Sequence, residues 1–258
     1  MVKAPHRTSS ATARITEVFP SIQGEGAYVG RRQLFVRLAG CTIGCRFCDT
    51  PDSLRPGAAY RVLRPGPGGE LTATSARNPI GAASLDDLIA EFVREHGPFQ
   101  ALAVTGGEPL EQVEFLEDWL PGVELPVLLE TAGTLPEALA RVIDRVAIVS
   151  MDIKLPSVAR VPDQFEAHRR FLRIAARKDA YVKVVVNRRV DRAEWDLATA
   201  LVAEVAPRAP FFIQPETDRS GGPRVGFALL SELAARAARA GLEDVRILPQ
   251  IHPFLGAP

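Results

Sequence analysis

Polar and apolar positions change rhythm part-way along this chain. Near the start, Arg14-Ile15-Thr16-Glu17-Val18-Phe19 alternates polar with apolar, the pattern of a half-buried strand, and Pro20 is expected to end it. Leu34-Phe35-Val36-Arg37-Leu38-Ala39 predicts a second strand. Residues 1–12 read as a loose leader, and residues 51–83, rich in Pro, Gly, Ala and Arg, as an irregular insertion with room for a short hairpin. A loop that long is more often functional or mobile than a plain connection. From Ser84 onward helices and strands alternate. Ser84 is the expected N-cap of a helix carrying Leu85, Leu88, Ile89, Phe92 and Val93, with Asp87 three residues on. Strands are expected at 101–104, 126–129, 147–153, 181–186, 211–213 and 245–248. Helices are expected at 110–120, 135–142 and 164–175, then one capped by Asp191 with Glu194 completing a capping box, and one through Leu230 to Ala237 closed by Gly241.

This alternation predicts parallel βαβ units. About six of them fit an α/β fold of the open, partial β/α barrel type, with residues 1–258 as one domain. In such folds ligands sit at the C-terminal ends of the strands. Thr105-Gly106-Gly107-Glu108-Pro109, Glu130-Thr131, Ser150 to Lys154 and Gln214 all fall at predicted strand ends, so one shared site is expected.

Composition narrows the partners. The chain carries 31 basic and 31 acidic residues among 258 and is 47% hydrophobic. No basic stripe for gripping phosphates stands out, so a small-molecule substrate is expected rather than nucleic acid. No apolar run approaches the roughly 18 residues of a membrane span, and the first residues lead into no signal-type apolar core. A cytoplasmic protein is the expectation.

All three cysteines lie in Cys41-Thr42-Ile43-Gly44-Cys45-Arg46-Phe47-Cys48, a C-x3-C-x2-C loop. Iron–sulfur clusters normally take four thiolates. Three thiolates on one loop can hold three corners of a four-iron cubane and leave the fourth iron for an outside ligand such as S-adenosylmethionine (SAM). The alternatives are zinc and buried thiols. Zinc wants a fourth ligand, and His6, His96, His168 and His252 are all remote in sequence. An odd cysteine count argues against a disulfide framework.

Other residues have two readings each. The glycines of Thr105-Gly106-Gly107 can expose backbone N–H groups to a carboxylate, or simply form a turn. Glu130, Thr131, Ser150, Asp152 and Gln214 suit ribose or aminocarboxylate groups, or helix caps. Lys154 is a ligand or a solvated charge. Arg37 interrupts an apolar strand and needs a partner: a substrate carboxylate, or an ion pair with Glu17 or Glu25. Gln23 and Glu25 offer edges suited to a purine-like heterocycle.

Taken together, the C-x3-C-x2-C loop resembles the radical SAM superfamily. Ile22-Gln23-Gly24-Glu25-Gly26, Phe35-Val36-Arg37, Cys48-Asp49-Thr50, Thr105 to Pro109, Glu130-Thr131-x-Gly133-Thr134 and Gln250-x-His252, in this order, resemble the 7-carboxy-7-deazaguanine synthases, from about residue 14 onward. The resemblance implies a [4Fe–4S] cluster on Cys41, Cys45 and Cys48. It implies SAM on Phe47, Gly107, Ser150, Asp152, Lys154 and Gln214, and Mg2+ on Thr50. It implies a pterin substrate, 6-carboxy-5,6,7,8-tetrahydropterin, held by Ile22, Gln23, Gly24, Glu25, Arg37, Thr105, Gln250 and the terminal carboxylate of Pro258. A flavodoxin- or ferredoxin-like reductant and a homodimer are also implied. The long 51–83 stretch departs from compact members of that family. Two rivals share parts of the pattern: a glycyl-radical activase acting on a protein, and a non-catalytic iron–sulfur or zinc protein.

Overall fold

The computed structural model describes residues 11–68, 70–218 and 222–258. Residues 1–10, with most of the expected leader and His6, lie outside the described residues. The first half contains β1 (Thr12–Ala13), β2 (Ile15–Ile22), β3 (Arg32–Leu38), β4 (Ala59–Pro65), β5 (Leu71–Arg77), β6 (Ile80–Gly81) and α1 (Ala82–His96). It is followed by β7 (Leu102–Gly106), α2 (Val113–Trp119), β8 (Val127–Thr131), α3 (Pro136–Val142), β9 (Ile148–Asp152), α4 (Pro156–Ala159) and α5 (Phe165–Ala175). Then come β10 (Asp179–Val186), α6 (Arg192–Val205), β11 (Phe211–Pro215), α7 (Phe227–Arg239) and β12 (Val245–Ile247).

Ten strands form one open sheet in the order β12-β11-β10-β9-β8-β7-β3-β2-β4-β5. The run from β3 to β12 is parallel at every pairing, so among the described residues it has seven strands, one more than the six expected. The extra strand is β3 itself, which the cysteine loop connects into the βα series. Side-chain alternation sorts the sheet into two faces. Leu34, Val36, Leu102, Val104, Val127, Leu129, Val149, Met151, Val182, Val184, Phe211 and Ile213 enter the large core under the helices. The opposite face is apolar at its N-terminal end, where Ala101, Leu128, Ile148, Tyr181 and Phe212 pack with Ala27, Tyr28 and Leu248. Moving along the same strands by steps of two, that face becomes Thr105, Glu130, Asp152, Lys183 and Gln214. A hydrophobic floor therefore supports a polar mouth at the strand ends.

Several expectations fail for local reasons. Pro20 does not end β2 but pairs with Leu34 inside it. Leu34 sends its N–H to Ala101 O at 3.2 Å, on the β7 side, so Pro20 and Leu34 are a non-hydrogen-bonded pair. The donor that proline lacks would face past the last β2–β4 pair, Val18–Val62, where no strand needs it. The hairpin for which residues 51–83 had room is present as β4 and β5, and it is more regular than expected because it extends the sheet beyond β2. Thr12 is not loose leader, since β1 pairs with β6. That pairing delivers the chain into α1 at Ala82, so Gly81 is the N-cap and Ser84 is an exposed residue inside the first turn. Asp191 caps α6 through Ala193 N and Glu194 N, but Glu194 accepts from Ser157 N instead of closing a capping box. The expected 110–120 helix begins as a 3-10 turn, Pro109–Gln112.

Two contacts hold the strand exits together. A Cβ on Gly106, whose φ is +136°, would lie 2.1 Å from Leu38 O. His168 is buried on α5, with its Nε2 3.1 Å from Ala132 O on the loop after β8. Burial pushes its pKa from 6.5 down to about 4.

Gly106→Ala is expected to cost roughly 3 kcal/mol or more. Gly30→Ala, at φ +82° with open space around it, should cost about 1–2 kcal/mol. Urea unfolding of the cluster-free protein checks both, and equal losses would mean that backbone conformation, not contact with β3, sets the penalty. For His168, a folded pKa below the unfolded one means the neutral ring's contribution is complete above pH 6.5. It is lost as pH falls through the window to about 4, by up to about 3 kcal/mol. His168→Gln keeps a donor for Ala132 O without that titration, so its stability should fall less steeply over this window. Parallel slopes would remove His168 as the cause.

Candidate active site

The cysteine loop leaves β3 and is tied down on three sides. Gly107 donates its N–H to Leu38 O (3.0 Å) and Glu108 donates its own to Gly40 O (2.8 Å). Thr42 donates its N–H (2.7 Å) and hydroxyl (2.6 Å) to Glu111 Oε1. Arg46 N donates to Ala159 O (2.8 Å). A Cβ on Gly107 would sit 2.0 Å from Gly40 O and 3.0 Å from Cys41 Cβ. The two glycines therefore serve close backbone approach, and the Gly107 N–H, one of the glycine donors expected to face a ligand carboxylate, is spent on Leu38 O. Glu108 is buried and accepts from Leu110 N, Thr131 Oγ1 and Ala132 N. It joins the exits of β7 and β8 rather than pointing into the mouth.

Cys41, Cys45 and Cys48 are free and partly exposed. Burial raises the thiol pKa of Cys41, and that of Cys45 to about 11. Among the described residues no three His, Cys, Asp or Glu side chains gather closely enough for a single ion. A cubane spreads its thiolates over separate corners, so three cysteines on one turn fit it better than they fit zinc. Thr50 Oγ1 accepts from Ser53 Oγ (3.2 Å) and lies 3.9 Å from Cys48 Sγ.

Phe47 lies beside the strand ends with the Lys154 ammonium 5.1 Å from its ring centroid. Lys154 is not a solvated charge: its side chain is only 14% exposed and pairs with Asp152 Oδ2 at 2.9 Å. Burial would lower its pKa, but Asp152 and Cys45 raise it above the ordinary value. Asp152 Oδ1 is buried with no hydrogen-bond partner among the described residues, and Ser150 Oγ is buried with only the Tyr181 hydroxyl beside it. Buried polar atoms normally have partners, so Asp152 Oδ1 fits a ligand with hydroxyl or amino donors.

The Gln23-Gly24-Glu25-Gly26 turn threads across the inner face. Gly26, at φ +64°, lies against the Tyr181 ring, and Gly24 against His252. Ile22 ends β2, and Gly24 O accepts from Ile251 N (3.0 Å), drawing the C-terminal segment over the turn. Gln23 Nε2 reaches Glu130 Oε1 (2.8 Å) and Gln33 Oε1 (3.2 Å), while Thr105 donates to Glu130 Oε2 (2.7 Å). Glu25 is ion-paired with Lys183 and accepts from Gln214 (3.0 Å) and Gln250 (2.6 Å). Burial alone would raise the Glu25 pKa, but Lys183, Gln250 and His252 hold it at about 2. Gln250 also donates to Asp49 Oδ2 (2.8 Å), closing the mouth against the cysteine loop.

Arg37 takes one of the partners foreseen for it: its Nε donates to Glu17 Oε1 at 2.8 Å, with the guanidinium over Phe19. Its two terminal nitrogens make no hydrogen bond among the described residues. Gln214 sits with Glu25. Pro258 is exposed, at the end of a turn closed by Ala257 N to His252 O (3.0 Å). Sequence reasoning missed Lys183. The signal was present: one lysine interrupts the apolar run Tyr181 to Val186.

A family model described as the radical SAM superfamily matches residues 36–189. The chain is 38% identical to the 7-carboxy-7-deazaguanine synthase of Geobacter sulfurreducens, across 96% of this chain and 99% of that one. It is 35% identical to the Methanopyrus kandleri protein of the same name, across 93% and 92%. In fold it is similar to the crystal structure of QueE from Escherichia coli (TM-score 0.51, 20% identity, 95% and 99% covered). It is also similar to a radical SAM methyltransferase from Sphaerobacter thermophilus (TM-score 0.54, 16% identity, 91% and 77% covered). Likeness over nearly the whole length of both chains joins the three-cysteine loop and the polar mouth above it, and the chain belongs to the 7-carboxy-7-deazaguanine synthase family of the radical SAM superfamily.

Proposed function

We propose that this chain converts 6-carboxy-5,6,7,8-tetrahydropterin to 7-carboxy-7-deazaguanine and ammonia by ring contraction, a step in making queuosine and other 7-deazapurines. The observation that carries this reading is the full-length similarity to synthases of that name. Residues 1–258 would work as one cytoplasmic domain, as a homodimer. Cys41, Cys45 and Cys48 would hold a [4Fe–4S] cluster. Ser150, Asp152 and Lys154, with Phe47 and the Gly107 turn, would hold SAM. When bound, the reduced cluster and SAM supply the one-electron chemistry that removes a hydrogen atom from the substrate.

The protein's own residues position and hold charge. Arg37 keeps its terminal nitrogens for the substrate carboxylate while Glu17 fixes its orientation. Glu25 stays ionised because Lys183 is beside it, so it can accept from N–H groups on the pterin edge. Glu130, set by Gln23 and Thr105, offers a second acceptor nearby. Ile22, Gly24 and Gln250 shape the same wall. Thr50 would place one oxygen on a Mg2+ ion, a hard cation that favours oxygen ligands.

The function is tested by anaerobic cluster loading, then turnover with the pterin and SAM, with the product identified by mass. Cys45→Ala should lose both the cluster absorbance and the product. Wild-type protein that shows a cluster spectrum but leaves the pterin intact would refute the substrate assignment. Thr50→Ala should raise the Mg2+ concentration for half-maximal turnover about tenfold, and an unchanged Mg2+ response would take Thr50 out of the ligand set.

A further inference from the structure

Arginines on the helix faces of this protein are mostly neutralised: Arg141 by Glu117, Arg192 by Glu232, Arg236 by Asp196. Three are not. Arg46, Arg160 and Arg189 are exposed and form no ion pair among the described residues. They belong to three segments bound to one another. Arg46, between Cys45 and Cys48, donates its N–H to Ala159 O, next to Arg160. The helix before Arg160 is bound to the turn carrying Arg189: Ser157 N donates to Glu194 Oε2 (2.8 Å) and Asp191 N to Ser157 Oγ (3.0 Å). Arg46 and Arg189 together hold the Arg160 pKa below the ordinary arginine value, as crowded like charges must.

Arg160 carries a second cost. At φ 58° and ψ 46° it is the one non-glycine residue with positive φ among the described residues. Glycine or asparagine would relieve that conformation, yet an arginine stands there. In a chain with zero net charge, a strained, unpaired guanidinium cluster points to an anionic partner.

We propose that Arg46, Arg160 and Arg189 form a landing surface beside the cysteine loop for an acidic one-electron carrier protein. This rests on the reading that the three cysteines hold a redox cluster. Arg46 lies within that loop, so an occupant of the patch covers the cluster's edge, the place from which one electron can enter. Three guanidiniums neutralise too few phosphates to grip nucleic acid by charge, since such proteins commonly make about 6–10 phosphate contacts. Charges at an interface rim act mainly on association rate and its salt dependence.

The test uses flavodoxin as the acidic carrier and the double variant Arg160→Glu/Arg189→Glu, which leaves the cysteine loop intact. With cluster-loaded protein, bleaching of the cluster absorbance by flavodoxin hydroquinone should be about tenfold slower in the variant at low salt. Added salt should slow the wild type and not the variant. Dithionite-driven turnover should agree within about twofold. With cluster-free protein, calorimetric binding of flavodoxin should weaken by a similar factor. Equal flavodoxin rates and affinities in the two proteins would overturn the proposal. So would a short RNA duplex whose binding is lost in the variant while flavodoxin binding is kept, which would reassign the patch to nucleic acid. Wild-type protein that takes up no cluster is a separate failure, of the cluster reading itself.

Discussion

No side chain fits between the exits of β3 and β7, and the architecture of the mouth follows from that. Gly106 and Gly107 let the two backbones approach until Leu38 O and Gly40 O accept the N–H groups of Gly107 and Glu108. The cysteine loop thus begins from a fixed point. The same bonds aim the Glu108 carboxylate at Thr131 and Ala132, which sets the exit of β8. Ala132 O in turn meets His168, which sets α5. One chain of contacts runs from the cysteines through three strand exits to a covering helix. A loop that must present three thiolates in a defined arrangement gains more from such a backbone anchor than from side chains, which keep rotamer freedom.

Charge inside the mouth is arranged on the opposite principle. Glu25 and Lys183 lie almost out of water, where a lone ion would be costly. Each is tolerable because of the other, and the amides of Gln214 and Gln250 fill lone pairs that Lys183 leaves on Glu25. A buried pair of this kind is weak evidence for stability. Its effect is positional: a permanent carboxylate stands at a set place on an inner wall whose floor is Tyr181 and Phe212. Replacing the pair by packed apolar groups would keep the floor and lose the acceptor.

Much of this is legible in the sequence. Alternation marked the parallel strands, because strands buried on both faces still need polar ends where ligands bind. The cysteine spacing is local and survives reading from sequence alone. What failed depended on distance. Pro20 is acceptable because the pairing of β4 with β2 stops at Val18, and the hairpin, foreseen only as a possibility inside an irregular stretch, extends the sheet because β2 offers it an edge. Ser84 was a good local cap overruled by the β1–β6 pairing. The role of Glu108 was not legible, because Thr131 and Ala132, which its carboxylate binds, lie more than twenty residues away. Lys183 left a readable mark, a charge in an apolar strand, though its partner Glu25 is 158 positions distant.

The two halves of the mouth also differ in how well they satisfy themselves. On one side, Gln23 and Thr105 hold Glu130, and Lys183, Gln214 and Gln250 hold Glu25. Any ligand entering there must exchange bonds, not add them. The gain is then small unless every displaced donor and acceptor finds a replacement, and a molecule missing one matching group leaves a buried atom unpaired. That is a recipe for discrimination among similar heterocycles. On the side of Asp152, a buried carboxylate oxygen has no partner among the described residues. A ligand donor reaching that oxygen adds a bond without breaking one, which favours tight binding.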